Sequence, residues 1–201
     1  MKLCLAPLVL MLAPIISWAD GSNTPPSLVR AALDSCGFTM TDFYGGTYEI
    51  VKEGDPHLFF YSKLINPKAK KALSVNITFR CVNPATPEDF FKFSGSKLTD
   101  KGWVMDLDPD VANDSGMHNT FYLLKGKGWE GTGISQDVTN GDEENRTRRF
   151  GFCIPHDGAA LCGGGDVAYL NDLKSSSLKQ VVKMLETIEF IEPSTGAPMQ
   201  K

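Results

Sequence analysis

The chain has 201 residues, 20 Lys and Arg against 24 Asp and Glu, and 42% hydrophobic side chains. With 22% charge, that composition argues against a mainly disordered, collagen-like or coiled-coil chain. The acidic balance argues against a nucleic-acid binder, which needs a basic face for phosphates. No later stretch reaches the ~18–20 apolar residues of a membrane span.

The amino terminus reads as an export signal. Met1-Lys2 is a positive n-region, Leu3–Ile16 an apolar h-region, and Ser17-Trp18-Ala19 a small-x-small cleavage site. The expected organisation is a signal peptide over 1–19, one α+β domain over 20–192 and a loose tail over 193–201. Cleavage removes Cys4 and one lysine, leaving 182 residues with a formal net charge of −5.

Ser27 after Pro25-Pro26 is placed as an N-cap, and Val29, Ala32, Leu33 and Cys36 follow at i, i+3, i+4 and i+7. That spacing predicts a helix ended by Gly37. Strands are expected at 47–52 and 57–64. The strongest β pattern follows, with Leu73, Val75, Ile77, Phe79 and Cys81 on one face and Ser74, Asn76, Thr78 and Arg80 on the other. Thr86-Pro-Glu-Asp89 opens a short helix. Further strands are expected at 102–107, 118–125, 128–137 and 146–154, the last two flanking a turn at Asn140-Gly141. Ser177 and Gln180 read as a capping box for a helix to about 186, and Thr187–Ile191 as a closing strand.

Four cysteines remain after cleavage, which in an exported chain make two disulfides. Cys153 and Cys162 bracket a short turn-bearing loop. Cys36 and Cys81 both lie on apolar faces, so the expected bridges are Cys36–Cys81 and Cys153–Cys162. A zinc site from Cys153, His156 and Cys162 matches no common spacing.

Hairpin-length connections imply a mainly antiparallel sheet flanked by helices. The element order, and the ending Leu178-Lys-Gln-Val-Val-Lys-Met-Leu-Glu-Thr-Ile-Glu-Phe-Ile191, resemble the PsbP-like group, which includes the periplasmic DcrB proteins. The resemblance spans most of the mature chain as element order and carries no diagnostic motif. It implies a non-enzymatic αβα sandwich used as a binding platform, and supplies no catalytic residue.

Chemical motifs are incomplete. Gly126-Lys-Gly128-Trp-Glu-Gly131 matches a dinucleotide fingerprint but precedes a strand-like segment where the phosphate site requires a helix. Asp106, Asp108 and Asp110 start like a calcium loop, yet Val111 and Met117 stand where an EF-hand needs Gly and Glu. Two S-x-x-K matches, at Ser94 and Ser176, lack the K-T-G partner. His57, His118 and His156 stand singly. The expectation is therefore no enzyme activity, no cofactor and no metal.

What remains is a periplasmic domain that acts by contact with a protein partner, possessing neither nucleic-acid affinity nor a membrane span. An immunity protein neutralising an envelope-delivered toxin is the specific expectation. The alternatives are a DcrB-type envelope accessory protein and a hydrolase whose site the sequence hides. The expected contact patch combines Asp106, Asp108, Asp110 and Asp114, the glycine-flanked Trp129, and Asp142, Glu143 and Glu144, with the aromatic as anchor and the charges guiding encounter.

Overall fold

A computed structural model of the protein describes residues 25–54 and 56–192. The expected signal peptide and tail lie outside the described residues. Residues 27–36 do not form the expected helix. They form β1 (Ser27–Leu33) and the start of β2 (Cys36–Asp42), joined by Asp34-Ser35 with Asp34 at φ 50°. Val29 and Leu33 satisfy both periods, but Ala31 is buried and Ala32 exposed, which is the alternation of a strand. Pairing along β1–β2 overrides a weak helical pattern because a short helix draws most of its stability from tertiary contacts.

The chain continues through β3 (Thr47–Val51), β4 (Leu58–Leu64) and β5 (Ser74–Val82) into α1 (Pro87–Ser94). Thr86 and Asp89 cap α1 reciprocally, and Gly95 at φ 54° ends it. Next come β6 (Ser96–Thr99), β7 (Gly102–Met105), the single turn α2 (Pro109–Ala112), β8 (Thr120–Gly126) and β9 (Trp129–Val138). The core strands β10 (Thr147–His156) and β11 (Ala159–Tyr169), then α3 (Leu178–Leu185) and β12 (Glu189–Ile191), complete the described residues. Ser177 makes no side-chain cap to α3; its hydroxyl accepts from Asn66 Nδ2 instead.

The result is an α+β fold dominated by antiparallel sheet. Seven strands run in the order β3-β4-β5-β11-β10-β9-β8, a three-stranded sheet runs β1-β2-β12, and β6-β7 form a separate hairpin. Strand β11, unpredicted because of Gly163-Gly164-Gly165, lies at the centre of the seven. A side chain at Gly163 would run into the Thr78 carbonyl of β5, so glycine permits the close approach of these backbones.

The two faces of the large sheet are covered differently. On the first, Phe59, Phe79, Phe150, Phe152 and Ile154 are fully buried beneath the small sheet, whose Phe38 lies 5.7 Å from both Phe59 and Phe79. Val181, Met184 and Leu185 of α3 join this core. On the second face α1 covers β9, β10 and β11, and Phe90 packs on Cys153, Ala160 and Cys162. A side chain at Gly151 would strike the Phe93 carbonyl, so glycine lets α1 rest directly on β10.

Two disulfides staple these layers. Cys36–Cys81 ties the small sheet to β5, and Cys153–Cys162 joins β10 to β11 at directly opposed positions. Such bridges fit an exported, disulfide-stabilised domain. No helix among the described residues is long and apolar enough to cross a membrane.

Candidate functional site

The predicted contact residues separate once folded. Trp129 is 8% exposed, and its Nε1 donates to the Ile188 carbonyl at 2.8 Å. It is a core residue, which corrects its expected role as a surface anchor. Its glycine neighbours misled the pattern. Gly126 and Gly128 belong to the β8–β9 turn, where Gly126 pairs with Trp129, and Gly131 lies opposite Leu124 in the same hairpin.

The acidic residues are surface groups with mostly local partners. Asp106 pairs with Lys97 of β6 at 2.9 Å. Asp108 caps α2 by accepting from the Asp110 amide, and Asp114 accepts from the Gly116 amide. Asp108, Asp110 and Asp114 are exposed, as are Asp142, Glu143 and Glu144 on the β9–β10 loop. Lys71 Nζ, in the connection between β4 and β5, donates to the Glu144 carbonyl of that loop. Near the acidic 106–114 segment, Phe91, Leu98, Val104 and Met105 are exposed large apolar side chains.

Buried charge elsewhere is structural. Asp42, 1% exposed, accepts from the Tyr44, Gly45 and Gly46 amides at 2.7–3.0 Å and from the Tyr61 hydroxyl at 3.0 Å. It organises the turn into β3. Burial, reinforced by the Asp42 carboxylate, pushes the Tyr61 hydroxyl well above the usual phenol range. Asp137 and Arg148 form a two-point pair at 2.6 and 2.9 Å. Hydrogen bonding to Asp137 raises the Arg148 guanidinium despite its partial burial.

The histidines remain apart. His57 pairs with Asp34 at 2.7 Å, exposed His118 reaches Asp137 at 3.3 Å, and His156 stacks on Phe190 at 4.0 Å. Ser94, Ser96 and Thr132 form a triangle of buried hydroxyls 2.7–2.8 Å apart. Ser94 donates to the Phe90 carbonyl, so these groups satisfy one another and the helix end. No cluster of three His, Cys, Asp or Glu side chains among the described residues is placed to hold a metal ion.

The feature that the sequence pattern missed is a cleft of about 750 Å³ on the second face. Its floor is the row Thr78, Gly164, Gly151 and Ile134 across four neighbouring strands. Helix α1 forms one wall through Phe91 and Phe93, and the segment bearing Leu107 and Val111 forms the other. Arg80, Lys92 and Arg149 also line it, as do Glu88 and Asp108. The alternation that places Thr78 and Arg80 on the outer face of β5 was readable, and Gly151 lay in an expected strand; Gly164 fell outside every expected strand, so the floor as a whole was not.

No known family model matches the chain, and a search of characterised proteins finds no match.

Proposed function

We propose that the protein is an exported, disulfide-stapled, non-enzymatic binding domain that works by contact with a protein partner, in the manner of an immunity protein capping a basic toxin in the periplasm. One observation carries the reading. The exposed Asp108, Asp110 and Asp114 follow closely in the chain on the exposed apolar Val104 and Met105, and Asp108 shares the lining of the cleft with Phe91, itself exposed. Apolar area ringed by charge is the composition of a protein-contact surface, the charge steering encounter and the apolar groups supplying burial. In this arrangement Phe91 replaces Trp129 as the aromatic anchor.

Helices on both faces of one antiparallel sheet, and α3 leading within three residues into β12, support the related reading of a PsbP-like αβα binding platform. Both readings need the same experiment. Mature protein and its Asp110→Lys/Asp114→Lys variant, matched by circular dichroism, are used to isolate partners from an envelope extract. One protein retained in equal amount by the parent and lost with the variant is the expected result. A partner held equally by both, or none in stoichiometric amount, defeats the assignment.

A further inference from the structure

We infer that the cleft on the second face is a binding site for an amphipathic organic anion: a carboxylate or phosphate head on a compact apolar body. The inference rests on cations that the fold leaves without anions. Among the described lysines and arginines only Lys97, Lys125, Lys127 and Arg148 have a carboxylate partner, each within 3.0 Å; what sets two of the other cations apart is their place in a concave lining. Arg80 and Arg149 line the cleft, and among the described residues neither has a carboxylate within ion-pair reach. Arg80 is half-buried, and burying a cation without a counter-charge is costly.

The surroundings of Arg80 show how it is held. Its guanidinium lies over the Phe93 ring, 4.9 Å from the centroid. Among the described residues the Arg80 side chain makes no hydrogen bond, which leaves its N–H groups for a planar acceptor, the chemistry that favours carboxylate or phosphate. Lys92 approaches the same ring at 5.6 Å, bringing a third cation to the cleft. Two carboxylates share the lining. Asp108 is engaged with the α2 amide of Asp110, and Glu88 lies in the first turn of α1, where a negative charge is favoured by the helix amides.

The rest of the cleft suits an apolar body. Phe91, 41% exposed, and Leu107, Val111 and Ile134 present carbon surface, and Gly151 and Gly164 leave the floor without side chains. A volume of about 750 Å³ falls in the range of small-ligand sites, about 300–1,000 Å³. The floor is also rigid: Arg80 lies opposite Cys162 in the β5–β11 register, next to the Cys153–Cys162 staple. A ligand therefore meets groups already in place. Phe91 and Asp108 belong to both surfaces, but Asp110 and Asp114 do not line the cleft, and Arg80 and Arg149 are no part of the acidic patch, so the two tests fail or succeed separately.

Calorimetric titration of the mature protein tests this with decanoate and octyl phosphate, below their micelle concentrations, as the two head groups. Octyl glucoside serves as the neutral amphiphile and inorganic phosphate as the head alone. The expected result is saturable one-to-one binding of at least one amphiphilic anion, weakened tenfold or more in Arg80→Gln/Arg149→Gln and weakened by added salt. Arg149→Gln alone, at an exposed position, keeps the test valid if the double variant does not fold, and should weaken binding severalfold. Which anion binds separates carboxylate from phosphate ligands. Absence of saturable binding overturns the inference, as does indifference to both variants. Equal affinity for octyl glucoside, or for inorganic phosphate, overturns it too, since either would leave a purely apolar groove or a plain anion site.

Discussion

The two faces of the seven-stranded sheet are made from the same strands and do opposite work. The first face presents large aromatic rings, all fully buried under a second sheet and α3. The second presents glycine, threonine and arginine at alternate positions of those strands, and one short helix only partly covers it. Because neighbouring side chains on a strand point in opposite directions, β10 places Phe150 and Phe152 in the core while Gly151 between them supports α1 and floors the cleft. Most of the large buried side chains lie on the first face, while the second keeps a smaller buried cluster under α1 and an open lining beside it.

The widest test of that division compares one substitution on each face. Phe79, enclosed by Phe38, Phe59 and Phe152, leaves a cavity when cut to alanine, and Phe79→Ala should cost about 3–5 kcal/mol in urea unfolding. Arg149→Gln on the second face should change stability by under about 0.5 kcal/mol. Comparable losses at the two positions would abolish the distinction.

The staples sharpen it. Cys36–Cys81 spans 45 residues and holds the cover of the first face, whereas Cys153–Cys162 spans 9 and lies under α1. Chain entropy makes the longer loop the more valuable, about 4 against about 3 kcal/mol. Paired serine variants should unfold in that order in denaturant titrations. If loss of Cys153–Cys162 proves the more damaging, the second face contributes more to folding than its open lining suggests.

A smaller, pH-dependent effect marks the edge of the first face. Tyr61 has its ionisation raised on folding by burial and by Asp42. The folded state thus keeps its proton where the unfolded chain releases it, and stability is complete below the ordinary phenol value of about 10. Above that pH it declines, with a slope of up to about 1.4 kcal/mol per pH unit. Unfolding titrations between pH 9 and 11, in ranges taken as about those of ordinary tyrosine ionisation, should show this decline in the parent and a reduced one in Tyr61→Phe. An unchanged slope would remove Tyr61 as its source.

Several elements were legible because their signals are local. Alternation from Val75 to Cys81 defined β5 and the orientation of Arg80, and Thr86 with Asp89 marked the start of α1. The β1–β2 hairpin was misread because Val29 and Leu33 fit two periods, and only pairing with β2 decides between them. Trp129 was misread because its partner, the Ile188 carbonyl, is 59 residues away.

By itself the sequence determined the strong strand alternation with Cys81 on its apolar face, the short loop between Cys153 and Cys162, and the acidic surface of the 106–114 segment, since each follows from the chemistry and spacing of near neighbours. Tertiary structure alone decided that Gly163-Gly164-Gly165 is a central strand, that Trp129 is buried, and that Arg80 and Arg149 come to one cleft. A glycine run has no side chains from which to read a period, so its conformation is set by the backbones packed against it. Two arginines on separate strands line one cleft only when the strand order β5-β11-β10 places both on the same face, Arg80 in the row of Cys162 and Cys153 and Arg149 four residues further along β10.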